Sequence, residues 1–386
     1  MDPFCEVVII GAGASGLLCG SLLAEKKIPV MIFEKNTRVG KKLSATGNGR
    51  CNFTNLHMQG DCYYGDQSWI QQILMRVGAE DVIRLFKRMG IWYRQKDGYV
   101  YPHTNQASTV VDCLYHTCIR EGARVETDCT VRSAEQTKNG DFLVQTEQGY
   151  IKCHNLILAT GGRAGAESGG GDSGYKLARC LGHQVSNLYP GLTGLMCGGD
   201  IWSKVAGTRI QGKFSLLIDG ESVSGEEGEI QITKNGVSGI PVFQLCRVAA
   251  KALAQRSVVE GVIDFVPSLK HEETKRWILN HGVEGLLPAK WLPFAKKAKD
   301  PVSFVRHFSF PIRDSFGIDR AQVTAGGVPV SEVNAATLES RLHKNLFLLG
   351  ELLDIDGKCG GYNLHLAWST AMIAASELVE RRKERR

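Results

Sequence analysis

The chain has 386 residues, 43% of them hydrophobic and 22% charged, with a formal net charge of +6; this is an ordinary globular composition, long enough for two or three domains, and it excludes a disordered or fibrous chain. No run of about 18 apolar residues occurs, which excludes a helical membrane span, and no basic region followed by an apolar stretch precedes the first strand, so a cytoplasmic protein without a signal peptide is expected. The 12 cysteines come no closer than Cys113 and Cys118 and form no C-x-x-C pair, which speaks against a metal site and for free thiols in a reducing compartment.

The apolar run Val7–Ile10 reads as a buried strand, followed by GAGASG from Gly11 to Gly16 and a helix from about Ser15. A second strand, Val30 to Glu34, ends on an acid. Together these form a dinucleotide-binding βαβ unit. Gly11 permits the tight turn, Gly13 lets the backbone approach a pyrophosphate, and Gly16 brings the helix against the sheet. The helix start, with Ala14 and Ser15, offers unpaired N–H groups to phosphate. Glu34, next to Lys35, is placed to accept both ribose hydroxyls and disfavours a 2′-phosphate. An ADP-containing cofactor is expected.

KKLSATGNGRCNFTN, Lys41 to Asn55, is too rich in Gly and Asn around Thr46, Gly47, Asn48 and Gly49 for a helix or central strand. It should be a loop whose amides and Arg50 face an anion or a ring edge. Helices are predicted over Ser68–Met89 and Ala107–Glu121, a strand over 123–136 and a hairpin over Phe142–Lys152. A further strand, Leu156–Ala159, runs into Ala159, Thr160, Gly161 and Gly162, small residues that let a chain cross close over a ligand. Gly169 to Gly174 repeats G-x-G-x-x-G without a strand directly before it, so a short helix capped by Asp172 or Ser173 is the better account. From about Leu192 to Ile318, short alternating segments predict a small antiparallel sheet or barrel, with helices around Val242–Gln255 and Glu272–Leu287. Near the end, the strand Leu346–Leu349 leads into Gly350, Glu351 and Asp354, and Gly360–Asn363 opens a helix whose positive end suits an anion.

KKLSATGNGRCNFTN and GELLDIDGKCGGYNLHLAWSTA, Gly350 to Ala371, closely resemble the BaiN/YhiN-like flavoproteins, NAD(P)/FAD-dependent oxidoreductases. ATGG, GVSGIP (Gly236–Pro241) and VTAGGV (Val323–Val328) fall in family order, so the resemblance spans nearly the whole chain. It implies an α/β fold: a Rossmann-like FAD-binding domain of the two-dinucleotide-domain type, 1–190 and 321–386, with an inserted β-barrel-like and helical lid, 191–320, that chooses the substrate. It places Gly350, Glu351 and Asp354 at the ribityl and pyrophosphate groups, Thr130 or Val131 at the adenine, and Gly361, Tyr362, Asn363 and Leu364 toward the flavin ring; Lys35 and Lys42 are counted with the cofactor contacts. No second intact fingerprint exists, so NAD(P)H is expected to dock only transiently, as reductant.

Reduced flavin delivers hydride, and a C=C conjugated to a carbonyl is the acceptor that suits it. The resemblance points to uridine in ribosomal RNA, giving dihydrouridine, and to bile-acid or steroid-like enones. Ribosomal RNA is the favoured partner, because Trp277, Lys290, Trp291, Lys296, Lys297 and Lys299 interleave aromatics with cations. The same residues also fit an ordinary core and wet surface. A flavin-containing RNA-binding factor without turnover is the third reading. Candidate proton donors are Cys51, Cys359, Tyr362 and His365, all in segments expected to face the flavin; for the cysteines, plain burial is the simpler account. Lys234 stands where the family commonly has a histidine, which weakens any proton relay there. The basic end, Glu380 to Arg386, reads as a solvated helix terminus. Nothing in the sequence specifies an oligomeric state.

Overall fold

The computed structural model describes residues 3–384; Met1, Asp2, Arg385 and Arg386, and with the last two the tip of the basic end, lie outside the described residues. The chain divides into two compact units, Met1–Leu188 with Val323–Arg386, and Tyr189–Gln322.

The first unit is built on a seven-stranded sheet. Its order is Arg124–Glu126, Val30–Phe33, Phe4–Ile10, Gly149–Leu158, Phe142–Thr146 and Val131–Gln136, with Leu346–Leu348 also paired to Gly149–Leu158. Val7, Val8, Ile9 and Ile10 are all buried, as a parallel strand covered on both faces demands. Ile9 lies opposite Ile32 on one side and Ile157 on the other. The expected hairpin arm and the expected strand before ATGG are one long strand. Through Gly149–Cys153 it pairs antiparallel with Phe142–Thr146, and through Leu156–Leu158 it pairs parallel with Leu346–Leu348. Its burial alternates in the first half and is continuous in the second, because only the parallel half is covered on both faces.

Other expected elements differ in detail. Ser68–Met89 is two helices, Gln67–Arg76 and Ala79–Arg88, because Val77 leaves the helical region and Gly78 caps the second. The strand over 123–136 is split at Asp128, which takes a left-handed φ of 50°. Lys41–Gly49 starts as a helix rather than a loop, then breaks where Thr46 becomes extended and Gly47 and Asn48 turn left-handed. A three-stranded sheet of Thr54–Asn55, Tyr99–Pro102 and Tyr93–Lys96 was not anticipated. Asp97–Gly98, both with positive φ, forms its tight turn, and Asp-Gly between two short runs is the sequence signal that marks it.

The second unit is a closed six-stranded antiparallel barrel of Leu195–Cys197, Gly236–Ser238, Glu221–Thr233, Arg209–Ile218, Val259–Asp264 and Phe308–Ser315. Its core holds Trp202, Phe214, Trp291 and Phe310. Helices Ile240–Ala254 and His271–His281 accompany it; the latter stops short of the expected Leu287 at Gly282, whose φ is 74°.

Candidate functional site

Four parallel strands end on one edge of the first unit's sheet, running into Gly11, Glu34, Ala159 and Leu349–Gly350. The carboxyl ends of such strands are where open α/β sheets take ligands. A Cβ on Gly11 would stand 2.4 Å from the Ala159 oxygen, and one on Gly16 1.9 Å from the Gly11 oxygen, so strand, helix and ATGG turn close together only because both lack side chains. A Cβ on Gly13 would meet nothing within 4 Å. Gly13 is therefore the bare position, facing open space at the start of helix Ala14–Glu25, where a phosphate can approach the backbone. A Cβ on Gly161 would likewise meet nothing within 4 Å. This cradle fits a dinucleotide.

Glu34 is buried and already accepts three hydrogen bonds: from the Ala12 N–H at 2.9 Å, the Asn36 N–H at 2.9 Å and the Asn36 side-chain amide at 2.5 Å. It ties the glycine turn to the second strand, and Oε2 keeps capacity for one more donor. The Cys129 N–H donates to the Glu34 carbonyl (2.9 Å), bringing the segment that leads to buried Val131 beside it. Lys35 reaches the Gly170 carbonyl at 3.3 Å. The glycines there pack against Asn36, Lys35, Ala164 and Thr160, and the helix Ser173–Cys180 has Asp172 at its N-cap position without a side-chain cap bond.

Lys42 contacts both Glu351 carboxylate oxygens at 2.8 Å. Glu351 also accepts the Thr324 N–H (2.9 Å), while the Thr324 hydroxyl accepts the Ala164 N–H (2.9 Å). A Cβ on Gly162 would lie 2.5 Å from that carboxylate, and one on Gly350 2.8 Å from the Ser15 hydroxyl. Segments around residues 15, 42, 162 and 350 are thus one cluster. Thr324, which the sequence offers only as part of VTAGGV, joins the cluster through these two bonds, and no local pattern marks it. Asp354 accepts the Ser186 hydroxyl at 2.8 Å, which braces the following turn.

Thr46 holds the TGNGR turn: its hydroxyl bonds the Leu43 carbonyl (2.6 Å) and its carbonyl accepts the Arg50 and Cys51 N–H groups. Gly47 and Asn48 are exposed, and the Arg50 guanidinium lies 5.5 Å over the Tyr101 ring. At the other end of the site, the Asn363 amide bonds both the N–H and the carbonyl of Gly357 at 2.8 Å. The Tyr362 hydroxyl donates to the His57 carbonyl (3.3 Å), and the Asn55 amide to the Gly360 carbonyl (2.9 Å). The helix Tyr362–Glu384 starts here, and the N–H groups of Tyr362, Asn363 and Leu364 precede its first internal bond.

The four expected proton donors sit in different surroundings. The Cys51 thiol is fully buried and pushed up to about 12 by desolvation. Burial also raises the Cys359 thiol and the Tyr362 phenol, so both stay protonated near neutral pH; Cys359 keeps some exposure, whereas Tyr362 is buried. His365 points neither to solvent nor into an open site. It is fully buried; Nδ1 faces the Thr54 hydroxyl (2.9 Å) and Nε2 the Val77 carbonyl (3.1 Å), and burial lowers its pKa to about 4. Since Val77 offers only an acceptor, the neutral ring carries its proton on Nε2.

The basic–aromatic stretch of the second unit is mostly engaged. Trp291 is buried, donating to the Thr208 hydroxyl. Lys290 bonds the Ala206 carbonyl, Lys296 pairs with Glu284, and Trp277 packs on His281, although all three stay exposed, as do Lys297 and Lys299. Lys234 is exposed at a turn. Among the described residues no cluster of His, Cys, Asp or Glu suits a metal, and no helix is long and apolar enough to cross a membrane.

The family model described as HI0933-like protein Rossmann domain matches residues 5–377. A 3-dehydro-bile acid delta(4,6)-reductase of Clostridium scindens is 34% identical, over 97% of this chain and 99% of that relative. A ribosomal RNA dihydrouridine synthase of Haemophilus influenzae is 28% identical, over 97% and 98%. The crystal structure of a 3-ketosteroid-delta4-(5alpha)-dehydrogenase from Rhodococcus jostii shares the fold, with a TM-score of 0.53 and 13% identity over 97% of each chain.

Proposed function

Because the chain belongs to the HI0933-like family of FAD-binding Rossmann-fold oxidoreductases, we propose that it takes hydride from NAD(P)H and reduces a C=C conjugated to a carbonyl, with uridine in ribosomal RNA as the favoured substrate. The two relatives named above differ in substrate and share this bond type, which supports the reaction class. What favours uridine is the hairpin whose Tyr99 adjoins Gly360, where the Arg50 and Arg94 guanidinium groups lie over the neighbouring Tyr101 ring. A second reading, reduction of a bile-acid or steroid-like enone, is favoured by the higher identity of the bile-acid relative.

Bound FAD supplies the hydride. The chain binds and orients it: the turn at Gly11–Gly16 leaves the pyrophosphate its approach, Glu34 has capacity left for a ribose hydroxyl, and the first turn of Tyr362–Glu384 lends partial positive charge to an anion. Cys359 and Tyr362 each hold a proton near neutral pH, but Tyr362 is buried with its hydroxyl on the His57 carbonyl, so partly exposed Cys359 is the donor assigned to the substrate carbon. Cys51 and His365 are assigned to packing.

Anaerobic mixing of the flavin-loaded protein with NADPH or NADH should bleach the flavin in one phase that saturates with nucleotide. Bleaching by dithionite alone would refute the nicotinamide donor and leave a non-catalytic RNA-binding flavoprotein in play. The reduced protein is then offered a uridine-containing ribosomal RNA fragment or a steroid enone. Reoxidation by RNA with formation of dihydrouridine supports the first reading; reoxidation by the enone alone supports the second.

A further inference from the structure

We propose that the outward face of the sheet Thr54–Asn55, Tyr99–Pro102 and Tyr93–Lys96 docks a single-stranded RNA segment and leads its target base to the helix start at Gly360–Tyr362; this rests on the uridine reading above. Arg94 lies opposite Tyr101, and Lys96 opposite Tyr99. Because side chains alternate along a strand, these four share one face, while Val100 and Pro102 on the other face are buried. One strand presents cations and its neighbour presents rings. Asn55 pairs with Tyr99, and its amide bonds the Gly360 carbonyl, so the face continues to the site. A Cβ on Gly360 would stand 3.2 Å from the Tyr99 ring.

The charges on this face are held in place but not neutralised. The guanidinium groups of Arg50 and Arg94 lie 5.5 and 5.9 Å from the centre of the Tyr101 ring. Their hydrogen bonds go to the Gly47 carbonyl (3.0 Å) and the Asn105 side-chain oxygen (2.7 Å), both uncharged. Among the described residues no carboxylate pairs with Arg50, Arg94 or Lys96, and Asp97 in the turn is the one acid of the hairpin. Rings and guanidinium planes are surfaces on which unpaired bases stack in any sequence, and free cations beside them meet phosphates. A face one hairpin wide suits a few nucleotides of single strand. Lys297 and Lys299 lie in the other unit.

The test uses FAD-loaded protein and a uridine-rich single-stranded RNA oligonucleotide, with affinity measured by fluorescence anisotropy across a salt series. R94Q/K96Q should bind more weakly, with a salt slope shallower by about 0.7 for each phosphate that no longer meets a cation. Y101L should lose roughly 5- to 150-fold in affinity with the slope unchanged, as expected when a stacking platform is removed, while Y101F keeps most of the affinity. Flavin content and bleaching by NADPH should match wild type in all three, which also shows that the variants are folded. Wild-type affinity and slope in both R94Q/K96Q and Y101L would overturn the assignment of this face, even where dihydrouridine is made. Equal affinity for a duplex of the same sequence would overturn the single-strand part. Absence of RNA binding by wild type, with turnover of an enone, removes the uridine reading and this inference together.

Discussion

The imidazole of His365 is enclosed between Thr54 and Val77 and stays neutral in the fold down to about pH 4, whereas in the unfolded chain it would take up a proton near its ordinary value of 6.5. A base whose folded pKa is lowered has no effect on stability above the unfolded value. As pH falls below 6.5 the unfolded state gains the proton first, and stability is lost until the folded state titrates near 4. This group should cost about 3 kcal/mol across that window. H365Q should be less stable near neutral pH by about 1–3 kcal/mol, because buried partners lose their bonds, and its stability should fall less steeply between pH 6.5 and 4. Urea titrations across the window check this; parallel curves for the two proteins would assign the loss elsewhere. Glu34 gives a second prediction. Gln offers one acceptor oxygen where three N–H donors converge, so E34Q should weaken FAD by about 1–3 kcal/mol and also lower the melting temperature of the flavin-free protein. A flavin-free melting temperature equal to wild type would show that the clamp is dispensable. Both side chains were legible as site candidates from their place in a motif. Which way His365 turns was not, because that depends on Thr54 and Val77, far away in the chain.

At the scale of elements, the first strand, turn and helix separate two kinds of glycine. Gly16 meets backbone and Gly13 meets open space. G16A forces the Gly11 carbonyl and the helix apart, so the flavin-free protein should melt lower. G13V leaves that packing alone, and the flavin-free melting temperature should stay near wild type while the purified protein loses its yellow colour. Equal destabilisation by both would mean that Gly13 is also a packing position. The βαβ unit was legible because its signals are local: an apolar run, a glycine spacing and a terminal acid. The helical start of Lys41–Gly49 and the break at Val77 were not, since tertiary packing there overrides a composition that reads as a loop or as one long helix. The hairpin at Asp97–Gly98 was written in the sequence as Asp-Gly between two short runs.

In the whole molecule each unit has its own core, and the flavin cradle lies within the first. Phe310 is buried among Trp202, Phe214 and Phe308 in the barrel unit. F310A should remove about 3–5 kcal/mol from that unit, so its unfolding, followed by tryptophan fluorescence, should move to lower urea while flavin content after purification stays at the wild-type level. Loss of flavin in step with the fluorescence change would show that the two units unfold as one. The sequence by itself determined the α/β class, the dinucleotide cradle and the barrel-like insertion, because hydrophobic period and glycine spacing are properties of neighbouring residues. Only the tertiary structure decided that Lys42 and Thr324 meet at Glu351, that His365 closes a core, that Trp291 is buried with Lys290 and Lys296 engaged, and that Arg94 and Lys96 line a hairpin whose Tyr99 adjoins Gly360. Burial and charge pairing are set by residues far apart in the chain, and no local pattern records which of them the fold brings together.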